Sequence, residues 1–259
     1  MENQNSQTIT PPIQSKQQFP TEIIELPSQG LVYPKENPLS SGKIEMRYMT
    51  AKDEDILTNE NFIKQGIVID KLLQSLIVSK INYEDLILGD KNAVLVASRI
   101  LGYGAEYTFK YKGENITVNL SELAEKTLDK NIFKPGLNEF EYTTPVAKNV
   151  ITFKILNGHD EKIIEDELKG LKRLNKNAST ELTTRLKQMI LTVNGDTNKA
   201  NINNFIQNQF LAKDSKAFRD HVKEISPDID MTFTFDNDGL EEKAKIPVTV
   251  EFFWPGSEL

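Results

Sequence analysis

Two pairs of neighbours set an imidazole beside a carboxylate: His159 with Asp160, and Asp220 with His221. Such a pair performs general acid–base chemistry when both side chains converge on one exchanging proton. Neighbours in sequence do not face each other on a helix, and no nucleophile motif or third polar partner stands near either pair. Two separated histidines also offer too few ligands for a metal. Both pairs read as solvated helix residues.

Three further patterns resemble chemistry and fall short of it. Gly102-Tyr103-Gly104 begins like a dinucleotide-binding loop, but the third glycine position holds Tyr107 and the segment follows a helix pattern. It reads as a helix stop. Asp236-Asn237-Asp238-Gly239 resembles the middle of a calcium loop. The first and twelfth ligand positions hold Thr234 and Lys245, so a polar hairpin turn is the better account. Tyr107, Phe109 and Tyr111, interleaved with Lys110 and Lys112, offer aromatic faces for base stacking. The same alternation marks a core-facing strand, which an acidic chain favours. No catalytic residue, no cofactor and no metal site is therefore assigned.

Composition narrows the classes further. The chain has 259 residues, a formal net charge of −7, two histidines and no cysteine. Disulfides and thiol chemistry are excluded, and the usual structural zinc ligands are missing. The negative balance argues against broad electrostatic attraction to nucleic acid. The longest apolar run, near Leu72 to Val78, is broken by Gln74 and Ser75. It falls far short of the roughly 18–20 residues of a membrane span, so no membrane partner is expected. The first twenty residues are rich in Gln, Ser, Thr and Pro and lack the basic start and apolar run of a secretory signal. They are expected to be a disordered tail.

The remaining elements follow from periodicity. Pro27 and Pro34 bracket a Gly30-Leu31-Val32-Tyr33 core that reads as a rigid, extended lead-in. Ile44, Met46 and Tyr48 alternate as a strand, and Thr50 with Asp53 marks a helix start. Ile69, Leu72, Leu73, Leu76 and Ile77 form one helical stripe. Ala93, Val96, Ala97, Ile100 and Leu101 form another. Hairpins are predicted at 107–120, turning at Lys112-Gly113, and between the Phe140/Tyr142 and Ile151/Phe153/Ile155 pairs. A short helix is predicted from Ser121 to Glu125. Beyond Asn157-Gly158 four helical stripes follow, one running from Leu182 to Val193 and one from Ile202 to Phe210. A final hairpin pairs Ile229–Phe235 with Ile246–Phe252. The fold class is α+β: small antiparallel sheets packed with amphipathic helices. The expected divisions are a tail at 1–20, a mixed region at 21–156, a helical region at 157–226, and a β-hairpin at 227–259 that packs back on the mixed region.

Leu26-Pro27-Ser28-Gln29-Gly30-Leu31-Val32-Tyr33-Pro34, then a strand ending Met49-Thr50, then Asp53-Glu54-Asp55, resembles the base plate protein family of T-even-type contractile-tailed bacteriophages. The resemblance continues through Asp90, through Arg99-Ile100-Leu101-Gly102-Tyr103-Gly104, and through Phe252-Phe253-Trp254-Pro255. It implies a baseplate hub subunit or hub-assembly factor, not an enzyme, acting in the host bacterial cytoplasm during assembly or in the virion baseplate. The partners would be other baseplate and tail hub proteins, with self-association left open. The resemblance implies that some relatives in that family carry paired cysteines near such hairpins, suggesting small zinc ribbons; if that correspondence holds, aromatic and β-branched packing must replace them here. Leu31 and Tyr33, with Phe253 and Trp254, are the expected partner-binding anchors, because exposed aromatics concentrate interface energy. The alternative is a nucleic-acid-binding module built on Lys187, Lys199, Lys213, Lys216, Arg219 and Lys223.

Overall fold

The computed structural model of the chain describes residues 19–174, 180–237 and 240–253. The expected disordered tail lies almost wholly outside these residues. Strand β1 (Thr21–Glu25) pairs antiparallel with β2 (Lys43–Arg47), with Ile23 opposite Glu45. Between them, the segment expected to be extended is instead a succession of turns. Gln29 and Gly30 take φ of 51° and 79°, and Leu26 N–H closes on the Gly42 carbonyl at 2.8 Å. Only glycine fits at position 30, where a Cβ would lie 2.3 Å from the Ser40 carbonyl oxygen. The two prolines border a coil rather than a straight run.

Helix α1 (Ala51–Leu57) starts where expected. The Thr50 backbone N–H and hydroxyl both donate to the Asp53 carboxylate, at 2.9 and 2.8 Å. Helices α2 (Glu60–Gln65) and α3 (Val68–Leu76) follow, and α3 buries Leu72, Leu73 and Leu76. Each such leucine contributes about 1.5–3 kcal/mol of hydrophobic stabilisation. Helix α4 (Leu88–Tyr103) is the centre of the molecule, with Ala93 to Arg99 buried without a break. A helix apolar all round must be enclosed on all sides. Gly104 stops it, as predicted, while Gly102 stays in its last turn.

Strands β3 (Glu106–Tyr111) and β4 (Glu114–Asn119) form the predicted hairpin. Lys112 and Gly113 both have positive φ, the conformation a two-residue turn between twisted strands requires. In place of the short helix expected from Ser121 there is a single 3-10 turn, Leu120–Glu122, capped by Asn119. Strands β5 (Phe140–Thr143) and β6 (Val150–Phe153) pair as predicted. A third strand, β7 (Ile190–Val193), completes a sheet of order β5-β6-β7. The periodicity from Leu182 to Val193 predicts helix through these residues, and the structure makes the last four a strand. Helix α5 (Gly158–Leu174) precedes α6 (Glu181–Met189), and α6 ends at Met189 because Ile190, Thr192 and Val193 are β-branched and find a partner in β6.

Helix α7 (Lys199–Asn204) opens into a π-turn at Phe205–Gln209, so the third helical stripe is broken rather than continuous. Helix α8 (Ala212–Ile225) follows. The last hairpin differs from expectation. Strand β8 (Thr232–Asn237) pairs with β9 (Leu240–Lys245), not with Ile246–Phe252. Asn237 lies opposite Leu240, so the strand pairs with the polar segment nearest in sequence, and Pro247 then bars continuation; the turn expected at 236–239 lies in part outside the described residues. The alternating apolar residues beyond end in a short helix, α9 (Val250–Phe253).

The fold class is α+β, as expected. One apolar core runs from Leu26 to Phe253 and crosses the divisions expected near 156 and 226. The C-terminal hairpin packs on β3–β4, with Phe233 5.0 Å from Phe109 and 5.2 Å from Tyr111, ring edges to faces. The aromatic stripe thus faces protein.

Candidate functional site

Neither histidine pair forms a dyad. His159 Nε2 lies 3.0 Å from Asp85, on the loop before α4, and 3.0 Å from the Asn82 amide. Its sequence neighbour Asp160 instead takes the Lys154 ammonium at 2.7 Å and the Asn157 N–H at 3.2 Å. Asp220 pairs with Lys216 at 2.6 Å, along its own helix. His221 stacks on Tyr142 at 4.7 Å and borders a cleft of about 480 Å³ together with Lys134 and Glu141. Burial pushes the His221 imidazole below its ordinary range. Among the described residues no cluster of three metal-ligating side chains occurs, and no helix is long and apolar enough to cross a membrane.

The polar groups that do converge are the ones carrying the family resemblance. Asp90, in the first turn of α4, is fully buried. It accepts the Ser28 N–H at 2.9 Å, the Ser28 hydroxyl at 2.7 Å and the Tyr33 hydroxyl at 2.5 Å. Tyr33 oxygen accepts in turn from the Ile87 N–H at 3.1 Å, just before the helix. The turns at 28–33 are thereby tied to the N-terminal end of the central helix, where a carboxylate is favoured. Burial pushes the Asp90 carboxyl up to about 6, and the hydrogen bonds from Tyr33 and Ser28 pull against that. Burial, and then the Asp90 charge, drive the Tyr33 phenol far above its ordinary range, so it remains a donor.

A second junction sits at the other end of α4. Arg99, only 2% exposed, donates to the carbonyls of Gly104 at 2.7 Å and Glu106 at 3.0 Å. Its guanidinium lies 5.4 Å from the Tyr103 ring centre and 5.8 Å from that of Tyr107. Burial lowers its pKa. This clamp fixes the helix end against the start of β3. Beside it, Phe252 meets Tyr107 ring to ring at 4.9 Å, and α9 lies against α4.

The four expected anchors fall differently. Leu31 is half-buried against the core, Tyr33 is 4% exposed and bonded as described, and Phe253 is fully enclosed. Trp254 lies outside the described residues. In this conformation neither Tyr33 nor Phe253 offers its ring to a partner. Of the basic positions, Lys187 pairs with Glu167 at 3.2 Å, Lys216 with Asp220, and Arg219 Nε donates to the Ser215 carbonyl. Helix α8 carries Asp220 and Glu224 among its exposed cations, which dilutes any field it presents.

Asp90 stood in the sequence as part of a resemblance, with no partner to suggest its role. Strand β1 was missed altogether: Thr21-Glu22-Ile23-Ile24-Glu25 sets two isoleucines side by side and shows no alternation. Comparison with protein-family models, with curated proteins and with solved structures finds no match.

Proposed function

We propose that this chain is a non-enzymatic morphogenesis protein of a contractile-tailed phage, similar to a baseplate hub subunit or hub-assembly factor, and that it works through protein–protein contacts. One observation supports this reading best. The separated segments that resemble the base plate family meet around a single helix. Ser28 and Tyr33 bond to Asp90 at its N-terminal end, and Arg99 clamps Gly104 at its C-terminal end. Phe252 and Phe253 close over the same helix. Segments that must pack together to make the fold belong together in a sequence signature, and the bonds these side chains make hold the molecule together.

The test is genetic and structural. The coding sequence would be interrupted in its phage and complemented in trans, with particles scored by electron microscopy and mass spectrometry. Heads without completed tails, rescued by the wild-type chain, are expected. Normal tails in its absence would sink the proposal. Presence in lysate but not in purified virions would assign the assembly-factor role; presence in both would assign the subunit role.

A further inference from the structure

Among the described residues, strand β1 has a partner on one edge only. Pro20 carbonyl accepts from Tyr48 N–H, and Leu26 N–H donates to Gly42, so the even-numbered residues of β1 carry the ladder to β2. The odd-numbered residues, Thr21, Ile23 and Glu25, turn their N–H and C=O groups the other way. The far side of β2 obeys the same parity and is covered: Glu45 carbonyl accepts from Val78 N–H at 2.9 Å and Glu45 N–H donates to the Ser79 hydroxyl at 2.8 Å. Among the described residues nothing bonds to the outward backbone groups of β1. Ile23 is 58% exposed at its centre. An unpaired strand edge with an exposed β-branched residue is a template for one more strand.

Charge decides between occupants. Glu22 and Glu25 are exposed, on opposite faces of β1, and the nearby cation Lys43 already pairs with Glu25 at 2.9 Å. A second copy would bring two more glutamates, with its own Lys43 already held by its own Glu25, between chains that each carry −7. A partner strand with a cation opposite Glu22, β-branched residues opposite Ile23 and Ile24, and a cation opposite Glu25 satisfies every position. That pattern reads the same in both directions, so it serves a parallel or an antiparallel strand.

We propose that the free edge of β1 takes up an extended segment of a partner protein in which two β-branched residues lie between two lysines or arginines. This rests on the assembly reading for the class of partner, and on backbone parity and charge for the site.

The probe is a capped, fluorescent six-residue peptide, threonine-lysine-valine-valine-lysine-threonine, titrated into the full chain by anisotropy. Its counterpart replaces both lysines with glutamate. The lysine peptide is expected to bind with Kd on the order of 100 μM, weaken with salt, and slow hydrogen exchange at Ile23. The glutamate peptide should bind at least about tenfold more weakly. Ile23→Pro removes an outward N–H without touching the β1–β2 ladder, so it should abolish binding with the melting temperature preserved. If that variant unfolds, Glu22→Lys with Glu25→Lys replaces it, and the preference should invert towards the glutamate peptide. Equal binding of both peptides, or binding untouched by these variants, overturns the proposal. So does self-association of the wild-type chain that Ile23→Pro abolishes, since a second copy would then own the edge. Normal tails in the phage experiment would sink the assembly reading and leave the titration standing, and a failed titration would overturn the strand-edge proposal and leave the assembly result standing.

Discussion

Tyr33 and Asp90 stand 57 residues apart, and the phenol hydroxyl of one lies 2.5 Å from a carboxylate oxygen of the other. The bond joins a set of loop turns to the first turn of the central helix. Three donors from that loop share the one carboxylate, and Tyr33 also satisfies the Ile87 N–H. Removing either partner strands buried polar groups, which is costlier than the net value of a single hydrogen bond.

Tyr33→Phe should therefore destabilise the protein by about 2–4 kcal/mol, since it orphans the Ile87 N–H and takes a donor from a buried charge. Asp90→Ala should cost at least as much, because all three loop donors lose their acceptor. Urea midpoints at constant m-value measure both. A loss below about 1 kcal/mol for either would show that water replaces the missing group.

The pH dependence has a defined sign. Burial, with a further push from the Asp228 charge, raises the Asp90 carboxyl to about 6, against about 4 in an unfolded chain. Between those values the folded state holds more protons, so stability falls as pH rises from about 4 to about 6. Asp53 runs the other way. Burial raises its carboxyl, but bidentate bonds from Arg47 at 2.7 Å and bonds from Thr50 outweigh that and hold it below the carboxylate range. Its contribution is present above about 4 and is lost as pH falls below that. His221, depressed by burial, adds stability as pH rises towards about 6.5. Asp90→Asn isolates the first effect. Relative to wild type it should gain on the order of 2–3 kcal/mol between pH 4 and pH 6.5. A difference that stays flat over this range would contradict the assignment.

Gly89 makes a tighter demand than its sequence context suggests. A Cβ there would lie 1.8 Å from the Pro227 carbonyl oxygen, so α4 and the segment after α8 can touch only through bare backbone. Gly89→Ala should cost about 2–3 kcal/mol or more, because backbone and not a flexible side chain must move. A thermal shift of under about 2 °C would show that the contact yields readily.

Local signals were legible and distant ones were not. Thr50 with Asp53, three residues apart, announced α1, and Lys112-Gly113 announced a hairpin, because each feature is complete within a few residues. The Ser28–Asp90 and Tyr33–Asp90 bonds depend on a loop folding back on a helix some sixty residues later, and no periodicity encodes that. Strand β7 hid because Leu186, Met189, Ile190 and Val193 extend a helical stripe on paper. Its strand character comes from pairing with β6, a tertiary cause. In the last hairpin the apolar alternation at Ile246–Phe252 is a stronger pattern than the polar Leu240–Lys245, yet β8 pairs with the polar segment nearer to it in sequence. The anchors Tyr33 and Phe253 were named for their chemistry, and burial is what sequence chemistry alone could not assign.

Phe253 separates a packing role from a docking role. Its ring is fully enclosed and meets Phe252 edge to face at 5.2 Å, and α9 lies on α4. A residue that only docks a partner is nearly silent in the isolated chain and costly in the complex. A core ring is costly in the isolated chain, because its removal loses transfer energy and leaves a cavity. Phe253→Ala should thus lower the stability of the purified protein by about 3–5 kcal/mol, with Phe253→Leu recovering much of the loss. Under the assembly role proposed above, tail assembly should then follow the folded fraction across the two variants. Full stability in Phe253→Ala with failed assembly would return Phe253 to the interface, and would require α9 to leave α4 when a partner binds.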